Sequence, residues 1–227
     1  PMPLAQDYPH AYEGDVGPIT GGMGSYSCEN HLLPFVSKED YEKAFETLKR
    51  TIDAMHKEGI PYKGILYGQF MLAKDEPKII EYNARFGDPE AMNVLPILKT
   101  PLVEIGEGII DGNLKRAEFE QKATVVKYIA PKGYPENPVK GVQIQVNEDK
   151  IVGEGAKVYY ASVDENLTML GSRALAIVGI ADSLEEAEKI ASAGIKYVSG
   201  EIFYRRDVGT KESIAKRIEI MKTIRGE

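Results

Sequence analysis

The chain has 227 residues, 43% hydrophobic and 28% charged, enough for one large domain or two small ones. Its formal net charge of −7 excludes a general attraction to nucleic acid or anionic membrane, so any anionic ligand must be held by a local device such as backbone N–H groups or one aimed arginine. No apolar run approaches the roughly 20 residues of a membrane span and no signal peptide is visible. Cys28 stands alone, so no internal disulfide can form; a cytoplasmic setting with no nucleic-acid or membrane partner is expected.

Residues 1–30 are rich in glycine and proline and lack periodicity, which predicts a long functional loop or strand ends separated by turns. The start at Pro1, rather than at a methionine, suggests an excised segment. A helix follows. Ser37 is its N-cap, with Asp40 three positions on. Tyr41, Ala44, Phe45, Leu48, Ile52 and Met55 recur at helical spacing, and Gly59 supplies the stop. Two β-rich runs, 64–73 and 78–85, flank a short polar turn and predict an antiparallel hairpin.

Asp88-Pro89-Glu90 predicts a helix start, with Asp88 at the cap, Pro89 at the first helical position and Glu90 in the first turn; Pro96 ends or kinks that helix. A second helix is expected from Leu102 to Ile110, stopping at Asp111-Gly112. From Ala123 the texture changes. Strands are expected at 123–130, 142–146, 157–163 and 174–180. One helix begins after Ser183 and carries its apolar face on to Val198, and another spans 211–224. A boundary is placed near 116–122.

Three patterns carry chemistry. On a strand, Glu81, Asn83 and Arg85 share one face. A carboxylate and an amide oxygen there suit a phosphate-bound divalent cation, and Arg85 can neutralise adjacent phosphoryl charge. With the turn centred on Asp75, Gln69 lies nearly opposite Glu81 and offers a third, weaker oxygen. The plain alternative is the solvated face of an edge hairpin. The second pattern, 85–90, follows directly; it is either an anion-binding helix start or simply a well-capped helix. The third is the glycine-rich stretch 14–26. There Gly21, Gly22, Met23 and Gly24 offer successive N–H groups as an anion nest, Asp15 suits an amino group and Thr20 a hydroxyl. A flexible loop is the alternative. His10, His31 and His56 show no metal-like spacing.

Taken together, Gly17-Pro18-Ile19-Thr20-Gly21-Gly22-Met23-Gly24 and Arg85-Phe86-Gly87-Asp88-Pro89-Glu90-Ala91-Met92 resemble the two most distinctive motifs of the glycinamide ribonucleotide synthetase family, an ATP-grasp ligase family. Lys132-Gly133-Tyr134-Pro135, Gly153-Glu154-Gly155-Ala156-Lys157-Val158 and Phe203-Tyr204-Arg205-Arg206-Asp207-Val208-Gly209 resemble its C-terminal domain, so the likeness covers nearly the whole chain.

The resemblance implies an α+β fold: residues 1–116 as the C-terminal part of an ATP-grasp domain, an antiparallel sheet with helices, then 117–227 as a smaller α+β domain with a mostly antiparallel sheet. It implies ligation of glycine to phosphoribosylamine through glycyl phosphate, with ATP and Mg²⁺ or Mn²⁺, in purine biosynthesis. Glu81, Asn83 and Gln69 match metal-side positions, and Arg85 an arginine near the acyl phosphate. Asp15, Thr20, the 21–24 loop, Asp88 and Glu90 fall where substrates bind. The family's N-terminal half, with its adenine pocket, is an expected missing partner, and the segment alone is expected to be inactive or nearly so.

Overall fold

The computed structural model describes residues 1–226 and is an α+β structure built around one antiparallel sheet. Four short strands open the chain: β1 (Gln6–Asp7), β2 (His10–Tyr12), β3 (Val16–Ile19) and β4 (Gly24–Ser27). Helix α1 (Lys38–Lys57) has the capping box expected of it: Ser37 Oγ accepts from Asp40 N–H and the Asp40 carboxylate accepts from Ser37 N–H. Gly59, at φ 77°, ends it.

The hairpin is β5 (Tyr67–Leu72) with β6 (Pro77–Asn83). Then come α2 (Ala91–Val94), a 3₁₀ turn over Leu95–Ile97, and α3 (Leu102–Asp111), which stops at the left-handed Gly112. The remainder holds β7 (Ala123–Pro131), β8 (Gln145–Val146), α4 (Glu148–Gly153), β9 (Lys157–Tyr160), β10 (Leu175–Ala181), α5 (Leu184–Ile195), β11 (Val198–Ser199), β12 (Ile202–Tyr204) and α6 (Lys211–Arg225).

The main sheet runs β1-β4-β7-β10-β9, and β12 joins β7 beyond the end of β4. Strand β7 is buried along its whole length, and its side chains alternate between two covered faces. Val126 and Tyr128 form one apolar cluster with Ala176 and Val178, and Met92 of α2 packs against it. On the opposite face Val125 meets Ala187 and Ala191 of α5. Lys127 points the same way. It is fully buried, and its Nζ donates to Glu188 Oε1 at 2.6 Å, Ser192 Oγ at 3.0 Å and the Arg206 carbonyl at 2.7 Å. Those three acceptors make a buried ammonium tolerable.

The structure differs from the sequence reading in several places. Strands β1 and β4, from the glycine-rich N-terminal stretch, lie in the same sheet as β7 and β10, so this sheet spans the change of texture near 116–122. Gly24 makes that approach possible: at φ 156° it lies close enough to β7 that a Cβ would overlap the Val126 carbonyl oxygen. The helix after Ser183 ends at Ile195, and Val198 instead pairs with Val146, because a strand partner is at hand. The strand expected at 142–146 shortens to Gln145–Val146.

Close packing of α5 on the sheet generates a stability prediction. A methyl group on Gly179 would overlap the Ala187 carbonyl oxygen and lie 2.8 Å from Ala191 N, whereas Gly153 has nothing within 4 Å. Gly179→Ala should therefore cost about 3 kcal/mol, and Gly153→Ala should be neutral or slightly stabilising. Urea unfolding of both variants checks this; equal midpoints would contradict it.

Candidate functional site

The hairpin places the candidate ligands as its sequence suggested. Gln69 pairs in register with Glu81, and Tyr67 with Asn83. Between Gln69 and Phe70 the register shifts by one residue, leaving Ile80 as the extra residue of a bulge. The bulge lets Ile79 and Tyr82 serve the same face. Ile79 and Leu48 of α1 both close on Gly68, and Tyr82 Oη lies 2.7 Å from Thr51 Oγ1 of α1. Glu81 and Asn83 project together on the other side, with Asn83 Nδ2 donating to Glu81 Oε1 at 2.7 Å.

Arg85 is not on that strand. Strand β6 ends at Asn83, and Arg85 follows in a bend, exposed, its Nη1 donating to the Phe86 carbonyl at 2.7 Å. The face shared by Glu81 and Asn83 therefore does not extend to it by strand alternation.

The turn at 88–90 also departs from the expected cap. Helix α2 starts at Ala91, and Asp88 caps nothing. Its carboxylate is taken by the main sheet and the loop leading into β10: Tyr128 Oη donates to Oδ1 at 2.7 Å and Arg173 Nη2 to Oδ2 at 2.9 Å. A charged hydrogen bond outweighs a cap contact, which is why the tertiary partners win. Glu90 is 8% exposed and accepts from Tyr67 Oη at 2.8 Å. Burial holds its carboxyl above the ordinary carboxylate range.

The glycine-rich stretch makes no open nest of N–H groups at its centre. Gly22 N–H donates to Thr20 Oγ1 at 3.0 Å, Thr20 Oγ1 donates to the Pro9 carbonyl at 2.8 Å, and Met23 N–H donates to the Tyr8 carbonyl at 2.8 Å. The carbonyls of Gly21 and Gly22 instead accept from Arg173 Nη1, at 2.7 and 2.9 Å. Met23 is fully buried beside Ala130 and Tyr134, and Gly24 belongs to the sheet.

Asp15, at φ 62°, is held by two arginines: Oδ1 accepts from Arg205 Nη2 at 2.9 Å, and Arg217 Nη2 lies 3.2 Å away. Arg205 is 1% exposed, and Asp207 takes both its Nε and its Nη2. The Asp15 carboxylate thus anchors a loop and is not held open for an amine.

Sequence reasoning missed Asp7, Tyr67, Tyr128, Arg173 and Arg205. Arg173 stacks over the Tyr128 ring, 4.4 Å from its centroid. Asp7 ends β1 with its Oδ1 enclosed and without a hydrogen-bond partner. Burial, followed by the charge of Glu90, pushes its carboxyl up to about 7. No local pattern in Gln6-Asp7-Tyr8 announces this. The Tyr67 hydroxyl, buried and bonded to Glu90, is pushed upward as well.

The direction for Asp7 fixes a pH dependence. Its carboxyl binds a proton more tightly in the fold, at about 7, than at its ordinary 3.8, so its contribution to stability is full below 3.8 and lost as pH rises through 7. Asp7→Asn should leave stability little changed near about pH 4 and raise it near about pH 8, by at most about 4 kcal/mol. Thermal unfolding across that range tests the sign; a variant less stable than the parent near the upper limit would contradict it.

The ATP-grasp (A) domain of phosphoribosylglycinamide synthetase matches residues 1–91, and the C domain of the same synthetase matches residues 124–211. A phosphoribosylamine–glycine ligase of Thermococcus kodakarensis is 80% identical over the whole chain, which covers 53% of that protein. The Pyrococcus furiosus ligase of the same name is 73% identical, again over the whole chain and 52% of its own length. The crystal structure of phosphoribosylamine–glycine ligase from Thermotoga maritima superposes with a TM-score of 0.79 at 31% identity, covering 91% of this chain and 51% of that one. The chain thus spans about half the length of the curated relatives it matches. Two domains of one synthetase, matched in order around the hairpin and the C-terminal sheet, place this chain in the phosphoribosylglycinamide synthetase family.

Proposed function

We propose that this chain carries the metal and substrate side of an ATP-dependent carbon–nitrogen ligase that joins glycine to 5-phosphoribosylamine, giving glycinamide ribonucleotide by way of glycyl phosphate, in purine biosynthesis in the cytoplasm. One observation carries the reading: Glu81, Asn83 and Gln69 gather on the outward face of a hairpin that lies within the ATP-grasp match. The relatives' shared name, phosphoribosylamine–glycine ligase, supports the choice of substrates.

The donor set fits a hard divalent cation. One carboxylate and two amide oxygens are too few to hold it alone, and among the described residues no group of three His, Cys, Asp or Glu is arranged to hold a metal. Mg²⁺ and Mn²⁺ accept such a minimal set, because phosphate oxygens and water complete the shell. In this reading Glu81 is the principal ligand, with Asn83 and Gln69 beside it. The ion would neutralise phosphate charge during activation of the carboxylate. Arg85, exposed and held among the described residues by the neighbouring Phe86 carbonyl, can swing onto a phosphoryl group.

Asp88 and Glu90 shape the substrate side from a turn locked to Tyr128, Arg173 and Tyr67. Gly21 and Gly22 form the adjoining wall, with Gly22 packed against Pro89 and both held by Arg173, and Thr20 fixes their turn. Asp15, Met23 and Gly24 support this wall without facing the substrate.

Mn²⁺-dependent binding of a nucleotide is the test. Glu81→Ala should weaken it at least about tenfold. Glu76→Ala, which removes an exposed carboxylate paired with Lys78 near the hairpin turn, should leave it unchanged. Binding that is indifferent to Mn²⁺, or equal in the two variants, would remove the metal site and the ligase reading with it.

A further inference from the structure

Helix α3 carries more apolar surface than this chain covers. Ile105 and Gly108 mark the side packed against the fold, and both are buried. Glu104, Glu107 and Asp111 form an exposed acidic stripe. Between these two sectors lie Leu102, Gly106, Ile110 and Val103, an arc of about 100° at the helical period. Leu102, Val103 and Ile110 are 51%, 68% and 67% exposed. Among the described residues none of the three joins an apolar cluster of the fold. Other exposed rings are engaged: Tyr12 stacks on Phe203, and Tyr82 bonds Thr51. A Cβ on Gly106 would meet nothing within 4 Å, so the arc is open to close approach by another backbone.

Two further observations name the occupant. The Thermococcus kodakarensis and Pyrococcus furiosus ligases match this chain over its whole length, yet the chain covers only 53% and 52% of them. The remaining half is expected ahead of Pro1, and Pro1 lies near the end of α3. Glu107, Gly108 and Asp111 of α3 line one cleft with Arg116. Burial, followed by the charge of Arg116, holds the Pro1 amino group below its ordinary range. A polypeptide entering at Pro1 therefore arrives beside this helix.

We propose that the Leu102, Val103, Gly106 and Ile110 face of α3 is the seat of the ligase half that this chain does not span. The docking surface is apolar at its centre and basic along the border that meets Glu107 and Asp111. Burial removes the solvation cost of three large aliphatic side chains. The glycine among them lets a helix or strand pack at short range. The acidic stripe at the rim favours a basic neighbour, and it disfavours a second copy of α3, whose own stripe would repel it. This seat depends on α3 and on the length of the relatives, and stands apart from the metal site.

Thiol labelling at single introduced cysteines is the experiment, with Val103→Cys, Ile110→Cys and, as control, Val152→Cys. Val152 is comparably exposed, at 63%, but lies on α4, which packs on β9 at the edge of the sheet opposite β1. Each variant is made in the 227-residue chain and in a full-length protein formed by joining the unmatched half of the T. kodakarensis ligase to Pro1. Native Cys28 is buried, its thiol pushed up to about 12, so its silence reports that each protein is folded. Val103→Cys and Ile110→Cys should label at least about tenfold more slowly in the full-length protein, while Val152→Cys stays within about twofold. Labelling of Val103→Cys and Ile110→Cys at the same rate in both proteins overturns the seat and leaves the metal reading untouched, as does equal slowing at Val152→Cys. Labelling of the 227-residue chain that slows as its concentration rises assigns the face to a second copy and overturns the seat too. Should the joined protein label at Cys28, cysteines at the three matching positions of the T. kodakarensis ligase decide.

Discussion

The Arg173 guanidinium joins three segments that are far apart in the chain. It reaches the carbonyls of Gly21 and Gly22, the carboxylate of Asp88 and the ring of Tyr128. As an ion pair it is modest, because the Asp88 side chain is about half exposed and solvent screens the attraction. Its importance is geometric. A planar guanidinium has donors in fixed directions, so when Asp88 and two carbonyls occupy them the turn and the loop cannot shift independently. Tyr128, on the central strand β7, fastens the other Asp88 oxygen, so the whole arrangement refers back to the most buried element of the fold.

That linkage explains how one sheet serves a site formed mainly outside it. Strand β7 uses its two faces differently. The face carrying Val125 and Lys127 receives α5 and settles its charge completely within the core. The face carrying Tyr128 receives α2 and delivers a hydroxyl to the 88–90 turn. From there Glu90 reaches Tyr67, and the β5–β6 pairing continues to Asn83 and Glu81. Asn83 is thus three contacts away from the buried sheet and Glu81 one further, close enough to be positioned by it and far enough to face solvent.

How much of this the sequence disclosed depended on the range of the forces involved. Helix α1 was legible because its cap, Ser37 with Asp40, is local, and so was the facing of Gln69 and Glu81, which follows from turn placement. Asp88 was misread as a cap because its actual partners lie 40 and 85 residues away, at Tyr128 and Arg173. Strands β1 and β4 span two and four residues, too short for alternation to register, and they exist because β7 offers β4 an edge and β4 in turn offers one to β1. The glycine-rich stretch looked like a nest of N–H donors. Its N–H groups at Gly22 and Met23 are consumed by Thr20 and Tyr8, and only the fold could reveal which backbone groups were left over.

The buried ions separate into two kinds. Lys127 has three acceptors, and Arg205 has two carboxylates, a carbonyl and the ring of Tyr8, so each is satisfied by the protein alone. Folding a chain around such groups is tolerable because every lost water is replaced. Asp7 is treated differently. Its Oδ1 loses water and gains nothing, and the proton it then attracts reports that debt. Its backbone pairs with Ser25 of β4, so the pairing of β1 with β4 does not call on its side chain. The fold thus answers its buried cations Lys127 and Arg205 from within, and leaves the Asp7 carboxyl to favour its neutral form.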